Sequence, residues 1–142
     1  MNQKFLKYNK SQVLGCEVYT PDYQTAPLVF SSPHSGRDYP ADFVAASKLD
    51  AIVLRRSEDA FVDEIFASAT DLGAPLLCAL FPRAYVDANR EAYELDPTMF
   101  DGPMPSHVRT KSPRITAGLG TVPRVVSEGI EIYRDKLKYD NA

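Results

Sequence analysis

Cysteine is scarce in this chain, with only Cys16 and Cys78 among 142 residues. Two thiols cannot build a disulfide framework. Each lies in an apolar, strand-like run, where a buried free thiol is commoner than a disulfide or a thiolate ligand. No Cys-x-x-Cys, Gly-rich phosphate loop or Gly-x-Ser-x-Gly elbow occurs, which argues against structural zinc, nucleotide binding and serine hydrolysis. Long apolar runs are missing too: none approaches the roughly 18 residues that span a bilayer, and the start, MNQKFLKYNKSQ, has lysines but no apolar run behind them. The expectation is a soluble, cytoplasmic protein with no membrane partner. Nor is there an excess of positive charge. The 16 basic residues are outnumbered by 19 acids, for a net charge of −3, and are scattered along the chain, so no nucleic-acid face is expected.

A hydrophobic fraction of 44% suffices for one core, and a single domain over 1–142 is expected. Val13 to Tyr19 (VLGCEVY) and Pro27 to Ser31 (PLVFS) read as strands, the second the better candidate for a central one. Between Ser57 and Gly73 the apolar residues Phe61, Val62, Ile65, Phe66, Ala69 and Leu72 recur at helical spacing, with Glu58 and Asp59 at the start and Gly73 past the end. Pro75 to Leu80 (PLLCAL) follows as a buried strand and Ala84 to Asp87 (AYVD) as another. This order implies an α/β sheet with at least one parallel crossover. From Asn89 to about Pro123 periodicity fades, and six of the eleven prolines fall in or beside the stretch, which predicts a long loop covering a site. Val126, Ile130, Tyr133 and Leu137 then predict a final helix. No repeat or low-complexity segment is present.

Three groups of residues could carry chemistry. His34, in Ser32-Pro33-His34-Ser35-Gly36-Arg37, follows an apolar strand, where ligands gather in open α/β sheets. It is a candidate metal ligand, or an imidazole that only hydrogen-bonds its loop. Glu58 and Asp59 could supply a carboxylate to that metal, or simply complement a helix dipole; Asp63 and Glu64, one turn on, fit a solvated face. Arg83, Asn89 and Arg90 gather around Asp87 and could form an anion pocket, since arginine grips a carboxylate through two parallel hydrogen bonds. Alternatively the two arginines pair internally with Asp87, Glu91 or Glu94. His107, beside Ser106 and Arg109, has no ligand-like spacing to anything and reads as a surface histidine.

Taken together, SPHSGRDYP (32–40), SEDAFVDEIF (57–66), PRAYVDANRE (82–91) and MFDGPMP (99–105) resemble the N-formylglutamate amidohydrolase family in order and spacing, from about residue 26 to the chain's end. The Asp-x-Asn-Arg piece at 87–90 is also similar to the substrate-carboxylate motif of aspartoacylases and zinc carboxypeptidases. The resemblance implies a three-layer α/β sandwich of the zinc-carboxypeptidase-like (phosphorylase/hydrolase-like) kind with a mixed sheet. It implies one divalent metal, zinc, bound by His34 and by Asp59 or Glu58. Arg83, Asn89 and Arg90 would bind the substrate's carboxylates, with Arg83 also the candidate catalytic residue. The implied reaction is hydrolysis of N-formyl-L-glutamate to formate and L-glutamate, a step of histidine breakdown; the partner would be a small acidic N-acyl amino acid.

One departure from the carboxypeptidase-type pattern is visible: the position three after His34 is Arg37 rather than a glutamate. Family members also continue into a second half with another histidine motif and, by analogy with the carboxypeptidases, the general-base carboxylate. The expectation is therefore an incomplete domain that self-associates or awaits a missing carboxy-terminal half. Two other readings stand beside it: a non-catalytic fragment that only binds a small dicarboxylate, and a related hydrolase of another N-acyl amino acid.

Overall fold

The structure, a computed structural model, describes residues 8–139. Strands β1 (Tyr8–Val13) and β2 (Cys16–Pro21) form an antiparallel hairpin whose register pairs Val13 with Cys16. The sequence predicts one strand through this stretch. Instead Leu14 (φ 36°) and Gly15 (φ 77°) both take the left-handed conformation that a two-residue hairpin turn requires.

Strand β3 (Phe30–Ser32) is followed by α1 (Ala41–Ala46), α2 (Ala51–Leu54), α3 (Val62–Ile65) and then β4 (Leu76–Ala79). β3 and β4 pair in parallel across these helices, as the predicted crossover requires. The sheet order is β1-β2-β4-β3, with β2 and β4 antiparallel, so the sheet is mixed and the surrounding fold is α/β. β4 is central. β3 is not: among the described residues it lies at the edge.

The predicted helix over 57–73 is broken. Ser57 closes a short 3₁₀ turn, Glu58 is extended, and Phe61 is left-handed (φ 65°). Only Val62–Ile65 is α-helical, followed by a 3₁₀ turn at Phe66–Ala69, and Gly73 (φ 80°) ends the segment. A tertiary bond overrides the helical propensity here, because Asp59 donates its backbone N–H to the carbonyl of His34. Apolar periodicity therefore misleads: Phe61, Ile65 and Leu72 are exposed.

Ala84 to Asp87 is likewise no strand. The N–H groups of Tyr85 and Val86 both donate to the carbonyl of Pro82, closing a turn directly after β4. The long stretch that follows is largely irregular, holding only a 3₁₀ turn (Pro97–Met99), the two-residue β5 (Phe100–Asp101) and α4 (Pro113–Thr116), which Ser112 caps. It packs a core of its own from Leu95, Met99, Phe100 and Val108.

The predicted final helix is replaced by β6 (Val125–Val126), β7 (Ile130–Glu131) and β8 (Leu137–Lys138). Gly129 and the β-branched Val126, Ile130 and Ile132 disfavour a helix. Ile132, fully buried, spends its carbonyl on the Lys48 N–H and the Ser47 hydroxyl. A second core joins this segment to the helices, through Phe43, Leu54, Ala84, Val126 and Ile132; the third, Ala69, Leu76 and Cys78, lies under the sheet.

Candidate functional site

β3 delivers the chain into the loop Pro33-His34-Ser35-Gly36 at the carboxyl end of the parallel strand pair. This loop is pressed against the end of β4. A Cβ on Gly36 would stand 2.1 Å from the Phe81 carbonyl oxygen, so no other residue fits without moving backbone, and the Asp38 N–H closes the contact on the Leu80 carbonyl. Ser35 ties the loop to the next segment: its hydroxyl donates to the Asp59 carbonyl and accepts from the Asp63 N–H. These bonds bring His34 and Asp59 together across 25 positions.

His34 is buried, and both ring nitrogens face carboxylates. Nε2 lies 2.7 Å from Asp87 Oδ1 and Nδ1 lies 3.2 Å from Asp59 Oδ2. Asp87 is buried as well. Burial alone would raise its pKa. The hydrogen bond from His34, the N–H of Asn89 and the charge on Arg83 outweigh burial and hold it below the ordinary aspartate value of 3.8. An ionised carboxylate only accepts, so Nε2 is the donor to Asp87 and carries the ring proton. Nδ1 of a neutral ring is then a lone pair facing a second acceptor, Asp59 Oδ2. Two acceptors at 3.2 Å need a positive charge between them, either a second proton or a metal ion.

The structure separates the two acidic candidates. Glu58 accepts from Arg55 Nε at 3.0 Å and from the Tyr39 hydroxyl at 2.6 Å, and burial together with that carboxylate pushes the Tyr39 phenol pKa upward. Its oxygens are engaged away from the histidine. Asp59, with a half-exposed side chain, is the acid beside His34. Neither sits in a helical first turn, the position Asp63 and Glu64 occupy instead, where both pair with Arg37.

Arg83 and Arg90 converge on one oxygen of Asp87, Nε of the former at 3.1 Å and Nη2 of the latter at 3.3 Å. The internal pairing that the sequence left open is what forms. Arg90 also donates to the carbonyls of Asn89 and Leu119, while Asn89 contributes its backbone N–H to Asp87. Asp87, rather than either arginine, is the hub of the cluster, and its place in Asp-Ala-Asn-Arg is the signal for it in the sequence. Beside the cluster opens a cavity of about 320 Å³, lined by Asp59, Arg83 and Asp87, by Arg56 and Glu128, and by residues of the long irregular stretch such as Leu119.

The remaining candidates lie apart from this chemistry. His107 bonds the Tyr139 hydroxyl and packs edge-on against Tyr93. Cys16 and Cys78 are free thiols, and burial, then the acids Asp63 and Glu17, pushes the Cys78 pKa up to about 11, so it is no thiolate near neutrality. Among the described residues no group of three or more His, Cys, Asp and Glu side chains is arranged to hold a metal ion. Asp87 does not make a third donor beside His34 and Asp59, because it bonds the opposite ring nitrogen. No helix among the described residues is long and apolar enough to cross a membrane.

Comparison with known proteins gives a consistent answer. No curated protein matches the chain. The crystal structure of N-formylglutamate amidohydrolase from Ralstonia eutropha JMP134 is similar, with a TM-score of 0.78 and 34% sequence identity. The similarity covers 89% of this chain and 44% of that one, so the chain spans less than half the length of that relative. The model of the family described as N-formylglutamate amidohydrolase matches residues 26–142, a span that contains His34, Asp59, Arg83, Asp87 and Arg90. The chain belongs to the N-formylglutamate amidohydrolase family.

Proposed function

We propose that this chain contributes the histidine–carboxylate centre of an enzyme that hydrolyses N-formyl-L-glutamate to formate and L-glutamate, with one zinc ion held by His34 and Asp59. The reading extends to a role in histidine breakdown in the cytoplasm, and to the three-layer zinc-carboxypeptidase-like sandwich as the complete fold. The observation that carries it is the 3.2 Å approach of His34 Nδ1 to Asp59 Oδ2, two atoms that would both be lone-pair donors to a metal when the ring is neutral. Two donors bound to one tetrahedral zinc at about 2.0–2.2 Å are separated by roughly 3.3–3.5 Å, so the donor set fits the ion. The Asp87 contact to Nε2 supports the same reading, since ligating histidines usually give their other N–H to a carboxylate that fixes the tautomer.

When bound, zinc would supply Lewis acidity and a lowered pKa for water. The residues of the chain have separate tasks. Asp87 keeps the proton on Nε2 of His34 and so keeps Nδ1 available. Arg83, at the wall of the cavity, offers positive charge to a substrate carboxylate or to the developing oxyanion, and qualifies as the catalytic arginine. Asn89 and Arg90 are bonded to the same Asp87 and so help to hold it ionised beside Arg83.

A second reading is favoured by the donor count: with two donors on the open side of His34, the chain by itself binds a dicarboxylate without turning it over. A third donor would come from polypeptide outside the described residues. Leu28 and Val29, which lead into the edge strand β3, are exposed, as are Ile65 and Leu72, which supports self-association or association with such a polypeptide. The two readings separate in one assay. Formate release from N-formyl-L-glutamate is measured with added zinc, for the chain alone and mixed with a candidate carboxy-terminal half. Activity restored by mixing and abolished by His34→Ala is the expected result. Full turnover by the chain alone would show that two donors suffice, and none in either mixture would leave the dicarboxylate-binding reading.

A further inference from the structure

We infer that Arg56 anchors the side-chain carboxylate of the substrate and that Glu128 holds that position until the substrate arrives, an inference that rests on the proposed N-acyl dicarboxylic amino acid as ligand. The cavity beside the histidine, at about 320 Å³, is near the small end of the roughly 300–1,000 Å³ typical of small-molecule sites. It suits one amino acid derivative. Two guanidinium groups line it, Arg83 and Arg56. Arg83 belongs to the Asp87 cluster. Arg56 does not: it comes three residues before Asp59, on the same segment, and its Nη1 lies 3.2 Å from Oε2 of Glu128.

A ligand with two carboxylates needs two positive groups separated by its own length, and this cavity has two on its lining. The partner of Arg56 matters as much as Arg56 itself. Glu128 reaches back across 72 positions to place a carboxylate at the cavity wall, where it is the chemical equivalent of a glutamyl side chain. The pair is exposed, with side-chain exposures of 47% and 75%, so exchanging one carboxylate for another sacrifices little stability. Glu128 sits at φ 65°, ψ 15° in the turn Ser127–Gly129, one of several left-handed turn residues in the chain.

The test is calorimetric titration at constant zinc of the parent chain, Arg56→Gln and Glu128→Gln, each with N-formyl-L-glutamate and with N-formyl-L-glutamine, the isostere whose side chain is neutral. The parent should prefer the dicarboxylate. Arg56→Gln should weaken N-formyl-L-glutamate by about tenfold or more, the usual range for a lost charged hydrogen bond, and leave N-formyl-L-glutamine unchanged. Glu128→Gln should tighten only N-formyl-L-glutamate, by removing its internal competitor. Equal weakening of both ligands by Arg56→Gln, or no weakening of either, would overturn the anchoring role, and no gain from Glu128→Gln would overturn the placeholder role. A parent that binds the two ligands equally refutes this inference alone, whereas one that binds neither refutes the proposed substrate class and this inference with it.

Discussion

Asp87 and Asp96 are both buried, both bonded to arginine and both held below the ordinary aspartate pKa, yet only Asp87 touches a histidine. Asp96 lies beside the separate core of the long irregular stretch. Burial there raises its pKa, and the hydroxyl and N–H of Thr98 together with Arg124 more than reverse that. Its carboxylate is taken up by Thr98 at 2.6 and 2.9 Å and by Arg124 Nε at 2.8 Å, and Arg124 passes on to the surface acid Glu131 at 3.2 Å. Asp87 has the same ingredients plus an imidazole, and the other nitrogen of that imidazole faces the exposed Asp59. A buried aspartate neutralised only by arginine holds a fold together. One that also bonds an imidazole orients that ring beside the cavity and, under the proposed function, prepares it to bind.

The largest expected effect breaks the structural member of the pair. Arg124→Ala removes the one cation paired with Asp96 among the described residues and should cost about 1.5–3 kcal/mol in urea unfolding, while Arg83→Ala should cost less because Arg90 still pairs with Asp87. Equal losses would show that the two arginines on Asp87 do not share its charge.

Next is the contrast in metal affinity. Asp87→Asn should lower zinc affinity by about 10- to 100-fold, as loss of the partner of a ligating histidine usually does, whereas Asp96→Asn should leave it unchanged; competition with a chromophoric chelator reads both. Asp59→Asn should likewise weaken zinc, with little change in stability. Glu58→Gln should do the reverse, because its carboxylate serves Arg55 and Tyr39.

Acid should affect both aspartates in the same direction. Each has a native pKa below its ordinary value of 3.8, so the native state binds fewer protons than the unfolded chain. Their contribution is fully present above about pH 4 and is lost as pH falls through the lower native values, with a slope of up to about 1.4 kcal/mol per pH unit for each. Asp87→Asn and Asp96→Asn should each flatten the acid limb of stability against pH, measured by denaturation at pH 2–5. An unchanged limb in either variant would mean that its aspartate titrates normally. The smallest effect belongs to the surface: Arg37→Ala, which loses partly exposed pairs to Asp63 and Glu64, should change stability by less than about 1 kcal/mol.

Much of the site was legible because its parts are short and chemically marked. Ser-Pro-His-Ser-Gly after an apolar strand marked His34, Asp-Ala-Asn-Arg marked Arg90, and Pro82-Arg83 just upstream marked Arg83. The parallel β3–β4 crossover was legible from two apolar runs separated by helical periodicity. Elements set by local pattern alone fared worse. The stripe Val126, Ile130, Tyr133 and Leu137 is helical on paper. In the fold Val126 joins one core and Leu137 packs against another, and no local rule reports that division.

What the sequence by itself determined is the family, the α/β class and the residue types of the site, because each depends on chemistry carried by contiguous residues. Tertiary structure alone put Asp59 rather than Glu58 beside His34, since Tyr39 and Arg55 take up Glu58 while Ser35 bonds the Asp59 carbonyl. It alone made Asp87 the hub, and it set Glu128 on Arg56. The physical reason is common to all three. Hydrogen bonds across 19 to 72 positions depend on where the chain returns, and that is settled by packing of the whole core rather than by any local run of residues.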